Sequence, residues 1–405
     1  MENVEIVKIE EICSFICSGG TPKSTNPDFY NGEIPWLNTN EVNFNKIYST
    51  SRYISENGLH NSSAKYVPLN TVIVAMYGVT AGKCAIAKIP LTTNQACCNL
   101  IIDPQKADYR YVYQFLKMQH RVLNSLATGG AQQNLNSLDI KRFKMPLPNI
   151  NIQSKIADIL FAYDDLIEAN NRRIEFLEQT AQELYKEWFV RFRFPGHENA
   201  KFENGLPEGW ELKKIGDIAR VKSGYAFKSE WWIDEGVPVI KIKDIQGNTI
   251  DFNDLSHVSV EHAEIAKQFY VVEGDLLIAM TGATIGKMAL VPYSEKQLVV
   301  NQRVGKFFLG ENPAENVSFL YMTLQQNWVQ ELIVMIAGSN AAQPNISPFD
   351  IEKIKIVYNK NMVDEYNRRS AAFINQILQL RKQNQNLAAQ RDMLLPRLMS
   401  GKLEV

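Results

Sequence analysis

Two long stretches of the chain carry apolar residues at alternating steps of four and three. The first runs Ile152, Ile156, Ile159, Tyr163, Leu166, Asn170, Ile174, Leu177, Ala181, Leu184 and Trp188, with a single four-four stutter after Leu166. The second runs Phe373, Ile377, Leu380, Asn384, Leu387, Arg391 and Leu394 without interruption. Such spacing marks the seam of a coiled coil. The breaker pair Pro195-Gly196 bounds the first helix, and Pro396 is expected to kink or end the second. Each seam holds one asparagine, Asn170 or Asn384, and a polar seam residue fixes register at some cost in stability. The expected arrangement is two helices packed antiparallel on each other. The alternative is that each packs separately on its own neighbouring module.

Between the helical stretches the pattern shortens. Residues 71–76, 100–102 and 271–280 are apolar or alternating runs bounded by Gly, Pro and Asn, which predicts strands. Residues 109–126 predict an amphipathic helix with Val112, Tyr113, Leu116 and Leu123 on one side, and 317–336 match it. Mixed strands and helices of this kind predict an α+β fold.

The shorter elements are duplicated. Ser18-Gly19-Gly20-Thr21-Pro22-Lys23-Ser24 returns as Ser223-Gly224-Tyr225-Ala226-Phe227-Lys228-Ser229. Ala75-Met76-Tyr77-Gly78-Val79-Thr80-Ala81-Gly82-Lys83 returns as Ala279-Met280-Thr281-Gly282-Ala283-Thr284-Ile285-Gly286-Lys287. Asn94-Gln95 returns as Asn301-Gln302, and Asp139-Ile140 as Asp350-Ile351, with offsets between 203 and 211. A period this long is a duplicated domain rather than a solenoid, whose units run roughly 20–50 residues. Four segments are expected: a module at 1–150, a helix at 151–194, a second module at 195–361 and a last helix at 362–405. Two like modules at a fixed separation suit the reading of two places on one extended target.

Composition narrows the class little. The 405 residues are 45% hydrophobic and 21% charged, as in ordinary globular proteins, and the net charge is −1. No stretch approaches the roughly 20 apolar residues a membrane helix needs. Met1-Glu2-Asn3-Val4-Glu5 lacks a secretory pattern, so a cytoplasmic location away from any membrane is expected. A near-neutral average does not decide for or against nucleic acid, which needs only a local basic face. Lys141-Arg142-Phe143-Lys144, Arg191-Phe192-Arg193 and Lys241-Ile242-Lys243 are local concentrations, though each also has the look of a solvated face. The five cysteines all lie in the first half, and their repeat counterparts are not cysteine. A metal or disulfide framework common to both modules is therefore excluded, and reduced, mostly buried thiols are expected.

The recurring glycine segments tempt comparison with a phosphate loop. The Walker pattern needs four residues between its glycines and Ser or Thr after the lysine; here there are three, followed by Cys84 or Met288. Nucleotide hydrolysis is not expected. Gly78, Thr80 and Lys83, with Gly282, Thr284 and Lys287, are instead candidates for a turn that brings backbone N–H groups and a lysine to a DNA phosphate. A plain tight turn with a solvated lysine is the competing view. Gln132-Gln133-Asn134 and the matching Gln343 and Asn345 offer the paired donor and acceptor groups that suit adenine in the major groove, although polar loops are often only loops. Asn38, Thr39 and Asn40 occupy the place that Lys241 and Lys243 hold in the second copy, a common frame with different tips. Lys23 and Lys228 complete the set of candidate DNA contacts. Asn26-Pro27-Asp28-Phe29-Tyr30 departs from an amino-methyltransferase motif, and its second copy lacks it altogether. Asp350-Ile351-Glu352-Lys353 is not matched by a second carboxylate cluster at Asp139-Ile140-Lys141-Arg142. Neither supplies an active site; a helix or strand start is expected at both aspartates.

Four segments carry a resemblance: Leu206-Pro207-Glu208-Gly209-Trp210, Ile34-Pro35-Trp36 with Val237-Pro238-Val239, Met280 to Lys287, and the ending from Leu394 to Leu403. On these residues the chain resembles, over essentially its whole length, the specificity (S) subunit of type I restriction-modification systems. The first module departs by lacking the Leu-Pro-x-Gly-Trp opening, which residues 4–12 must replace. The resemblance implies two target recognition domains, each a mixed β-sheet with helices, separated and held by two long antiparallel helices. Each would read half of a split site in double-stranded DNA. The helices would set the spacer and dock two methyltransferase (M) subunits, which use S-adenosylmethionine to methylate adenine at N6. Restriction (R) subunits would add ATP- and Mg-dependent translocation and cleavage. The chain itself would hold no cofactor and catalyse nothing. A helix of about 36 residues spans roughly 54 Å, on the order of 16 base pairs of B-DNA. Two other readings stay open: partnership with a fused type II-like methyltransferase-nuclease, and a helical scaffold that does not read DNA.

Overall fold

The computed structural model describes residues 4–127, 134–338 and 344–405. The chain divides into two compact units, residues 1–166 with 387–405, and residues 167–386. Each unit therefore contains one module and a length of both long helices.

In the first unit a mixed sheet runs Cys13–Ser18, Cys97–Ile102, Val72–Ala75, Cys84–Ala87 and Lys46–Ile47, in that spatial order. Its pairs are antiparallel except the last, which is parallel. A smaller sheet orders Tyr53–Ile54, Ile34–Leu37, Leu91–Thr93 and Tyr66–Val67. In the second unit the first sheet runs Arg220–Ser223, Val304–Phe308, Leu276–Ala279 and Met288–Leu290. The second places Val237–Ile240 parallel to Leu298–Val300, as Ile34–Leu37 is parallel to Leu91–Thr93. The duplication read from motifs is thus a duplication of topology.

The central strands read as unbroken apolar runs because both of their faces are covered. Val72 and Val74 enter one core while Ile73 and Ala75 enter another. Leu276 and Ile278 part from Leu277 and Ala279 in the same way. Alternate side chains of a strand point to opposite faces, so one strand serves two cores. The run at 271–280 is not one strand: Tyr270–Val271 and Leu276–Ala279 are separated by a turn through Gly274, whose φ is +87°. The helix expected at 109–126 is broken at Gln119 into Tyr109–Met118 and His120–Ser125, and its counterpart into Pro313–Leu324 and Asn327–Ile336. Periodicity persists across each break because both halves keep an apolar face on the same core.

The long helices are Ile150–Tyr185, followed by a π turn at Lys186–Val190, and Lys360–Met399. Equivalent asparagines start them: the Asn149 side chain accepts from Ile152 N–H at 3.0 Å, and that of Asn359 from Met362 N–H at 3.1 Å. In the second unit the helices pack antiparallel, as expected. Asn170 Nδ2 donates to Asn384 Oδ1 at 2.9 Å, and Asn384 Nδ2 to Asn171 Oδ1 at 2.8 Å. Beside this pair Ile174, Leu177, Ile377 and Leu380 cluster, and further along Tyr366 donates to the Ala181 carbonyl.

In the first unit the seam fails in part. Ile159 and Leu166 are exposed, while Ile156, Ala157, Leu160 and Phe161 are buried in the module core. There the helix turns Ile156, Ala157, Leu160 and Phe161 to a core shared by the module and the end of the last helix. Pro396 does not end the last helix, which runs on to Met399. Leu395, Leu398 and Met399 are buried in the first unit's core, and that burial outweighs the lost backbone hydrogen bond. No helix among the described residues is long and apolar enough to cross a membrane.

Candidate nucleic-acid interface

The duplicated motifs converge. In the first unit the strand Val72–Ala75 feeds a turn closed by Ala81 N–H to Gly78 O and Gly82 N–H to Ala75 O, at 3.0 and 2.8 Å. In the second, Ile285 N–H to Gly282 O and Gly286 N–H to Ala279 O repeat it at 3.1 and 2.9 Å. Gly78 and Gly282 both have φ +72°, a left-handed conformation that favours glycine. The turn's own bonds consume the N–H groups of residues 81–83 and 285–287. The expected cradle of backbone donors is therefore narrower than the sequence suggested. Val79, at the tip, is 96% exposed.

Against each turn lies the segment bearing the candidate asparagine. Leu135 N–H donates to Met76 O at 2.8 Å and Ile346 N–H to Met280 O at 3.0 Å, with bridges Tyr77–Asn134 and Thr281–Asn345. On the other side, Met76 N–H reaches Ala96 O at 2.8 Å and Met280 N–H reaches Arg303 O at 3.0 Å. The opening segments close the frame. Gly20 N–H bonds Thr93 O at 2.8 Å, and Tyr225 N–H bonds Val300 O at 2.9 Å. A Cβ on Gly19 would lie 2.1 Å from Thr93 O, and one on Gly224 2.2 Å from Val300 O, so both glycines are required by close approach.

In the second unit these segments line one cleft of about 510 Å³, with Ser223, Thr281, Gly282, Gln302, Arg303 and Asn345 on its walls. The Thr281 hydroxyl is buried there with no hydrogen-bond partner among the described residues. Gln302 and Arg303 were not among the sequence candidates, although the repeated Asn-Gln dipeptide marked the place.

The remaining candidates fall on or near this frame. Asn38 and Lys241 occupy equivalent strand ends. Asn38 N–H donates to Glu41 Oε1 at 3.1 Å and Lys241 N–H to Asp244 Oδ2 at 2.8 Å. Thr39 and exposed Asn40 follow in the short helix Thr39–Glu41. Lys241 Nζ donates to Ser256 Oγ at 2.8 Å and lies 3.6 Å from the centre of the Trp232 ring. Burial and neighbouring Lys243 draw its pKa down. Lys243 is held by Asp254 at 2.8 Å, a hydrogen bond that raises its pKa. Lys83 donates to Asn43 Oδ1 at 2.8 Å, whereas Lys287 is exposed. Thr80 is buried and Thr284 half-buried. Lys23 and Lys228 are exposed, the latter 5.4 Å from the Trp231 ring centre. Gln132, Gln133 and Gln343 lie outside the described residues.

The expected helix starts are Ser137–Arg142 and Pro348–Lys353, which contain Asp139 and Asp350. Among the described residues no group of His, Cys, Asp and Glu is arranged to hold a metal. The cysteines are free, and four of the five are buried. Burial pushes the Cys84 and Cys98 thiols up to about 12.

This chain is similar to specificity subunits of type I restriction enzymes. The specificity subunits of the type I restriction enzymes MjaIX and MjaVIII from Methanocaldococcus jannaschii are 28% and 23% identical. The matches cover 99% and 100% of this chain and 94% of each relative. The EcoR124I/EcoR124II specificity subunit of Escherichia coli is 31% identical over 44% of this chain and 45% of its own length. The crystal structure of the S subunit of a type I restriction-modification system from M. genitalium has the same fold. It aligns over 98% of this chain and 97% of its own with a TM-score of 0.54 at 20% identity. The family model for the type I restriction modification DNA specificity domain matches twice, at residues 1–179 and 207–360. One such domain falls on each copy of the duplicated frame, and the chain belongs to this family as a type I specificity subunit, conferring DNA sequence specificity.

Proposed function

We propose that each module reads one half of a split, asymmetric site in double-stranded DNA. In this reading residues 1–150 and 195–361 are the recognition domains, and 151–194 and 362–405 are spacer helices. The helices dock two M subunits, which methylate adenine at N6 with S-adenosylmethionine. R subunits join them for ATP- and Mg-dependent cleavage. This chain supplies recognition, in the cytoplasm, and the partner subunits supply the chemistry.

The observation that carries the reading is one hydrogen-bonded frame, built twice, with different side chains at its tips. The frame bonds recur to within 0.2 Å at Met76 and Met280, and at Leu135 and Ile346. Asn38 in one module is Lys241 in the other, and Ala96 is Arg303. Contacts common to both copies suit the phosphate backbone, which is the same along any duplex, and differing tips suit different bases.

The test is an insertion of four residues near Asn170 in the full chain, assembled with its host methyltransferase. The methylated site should keep both half-sites and gain spacer length. A site with an unchanged spacer would contradict the helices' role as a ruler.

A further inference from the structure

Both modules carry a lysine at the glycine turn, so Lys83 and Lys287 belong to the frame they share. Arg303 does not. It directly follows the duplicated Asn-Gln pair, and its counterpart Ala96 is only 6% exposed. The main chain holds Arg303 firmly. Its carbonyl accepts from Met280 N–H at 3.0 Å, the preceding Gln302 N–H bonds Tyr225 O at 2.9 Å, and the following Val304 N–H bonds Asn301 O at 2.9 Å. Its side chain is exposed on the cleft wall, with no ion pair or hydrogen bond among the described residues.

The neighbouring glutamine differs between the modules in the same sense. In the first, the Thr21 hydroxyl donates to Gln95 Oε1. In the second, Thr21 is replaced by Ala226, which has no hydroxyl to offer Gln302. The second module therefore presents two polar side chains, free of hydrogen-bond partners among the described residues, where the first has one tied down and one absent.

A guanidinium held at its base and free at its tip has two uses on a duplex: a phosphate, or the O6 and N7 of guanine, which its planar fork meets with two parallel hydrogen bonds. Phosphates offer the same target to both modules, and the shared lysines Lys83 and Lys287 are the matching candidates for them. A cation found in one module only belongs with what differs between the half-sites. We propose that Arg303 is a specificity-determining residue that reads a guanine in the major groove of the half-site bound by the second module. This rests on the reading of the modules as DNA-recognition domains.

The experiment is selection of methylated duplexes from a randomised pool, using the full chain assembled with its host methyltransferase, as wild type and as Arg303→Ala and Arg303→Lys. Wild type should return two half-sites, one containing a guanine whose replacement costs about 10- to 100-fold. Both variants should lose that preference at this single position and leave the other half-site intact, because lysine keeps the charge but not the fork. An even loss of binding across sequences in Arg303→Ala, restored in Arg303→Lys, would mean a phosphate contact and overturn the proposal. Unchanged half-sites in both variants would overturn it too. Absence of any half-site with wild type would instead remove the underlying reading of the modules, a distinguishable failure.

Discussion

Glu178 lies in the first long helix and accepts hydrogen bonds from three different side chains. Its Oε1 accepts from Arg381 Nη2 of the second long helix at 3.0 Å and from the Tyr321 hydroxyl at 3.1 Å. Its Oε2 accepts from Asn248 Nδ2 at 3.1 Å. The Arg381 side chain is 7% exposed and that of Glu178 is 16% exposed, so both charges are largely withdrawn from water. Burial, and then the Glu178 charge, drive the Tyr321 phenol pKa upward, which keeps it a neutral donor. Glu178→Ala would leave the Arg381 charge with only the Leu290 carbonyl, at 3.5 Å, and the Tyr321 hydroxyl as partners among the described residues. Breaking a buried pair from one side costs about 3–5 kcal/mol. For a unit of this size that lowers the midpoint by about 2–4 °C per kcal/mol, on the order of 6–20 °C in all. The double variant Glu178→Leu with Arg381→Met removes both charges together and should recover most of the loss. Five of the six tryptophans lie in residues 167–386, so thermal unfolding followed by tryptophan fluorescence reports mainly on this unit. A Glu178→Ala midpoint within 1–2 °C of wild type, a fraction of the shift worked above, would refute the buried pair. So would a double variant as unstable as the single one.

Three further outcomes are expected. Lys287→Ala should weaken duplex binding across all sequences and reduce the salt slope by about one, with Lys83→Ala weaker in effect because Lys83 already bonds Asn43; binding titrations at several salt concentrations check this, and a changed sequence preference would exclude phosphate contact. In the first unit burial alone would raise the Asp164 pKa, but Lys117 and Arg391 outweigh it and hold the carboxyl below its ordinary value. A depressed folded pKa stabilises above the unfolded pKa of about 4, and that contribution is lost as pH falls through the folded value. Denaturant midpoints measured from pH 7 downward should therefore fall more steeply for wild type than for Asp164→Asn, which is less stable at pH 7. Gly224→Ala, whose Cβ would lie 2.2 Å from Val300 O, should cost about 1–3 kcal/mol or more in the second unit, read from the same fluorescence midpoint; an unaffected midpoint would mean that the frame yields at little cost.

Much of this molecule was legible in its sequence, and the limits have physical causes. The seams named Asn170 and Asn384 separately, and the structure brings them together at 2.9 Å. Periodicity could not say which apolar stripe of the first helix would win, and in the first unit the module claims Ile156 and Leu160 while Ile159 and Leu166 are exposed. Repetition located the glycine turn, the Asn-Gln pair and the segment before Asp350, but no local rule placed them on one cleft. That depends on strand order, in which Val304–Phe308 lies between Arg220–Ser223 and Leu276–Ala279. Arg303 was invisible for a related reason. A repeat marks the positions two copies share, whereas Arg303 stands where they differ, opposite Ala96.

Selection of one split site for adenine methylation by this chain is read from N6-methyladenine mapped across the genome of cells with and without it. Without the chain, methylation should be lost at one bipartite, asymmetric motif and nowhere else. Methylation unchanged at every motif, in cells whose type I methyltransferase is expressed, would contradict it.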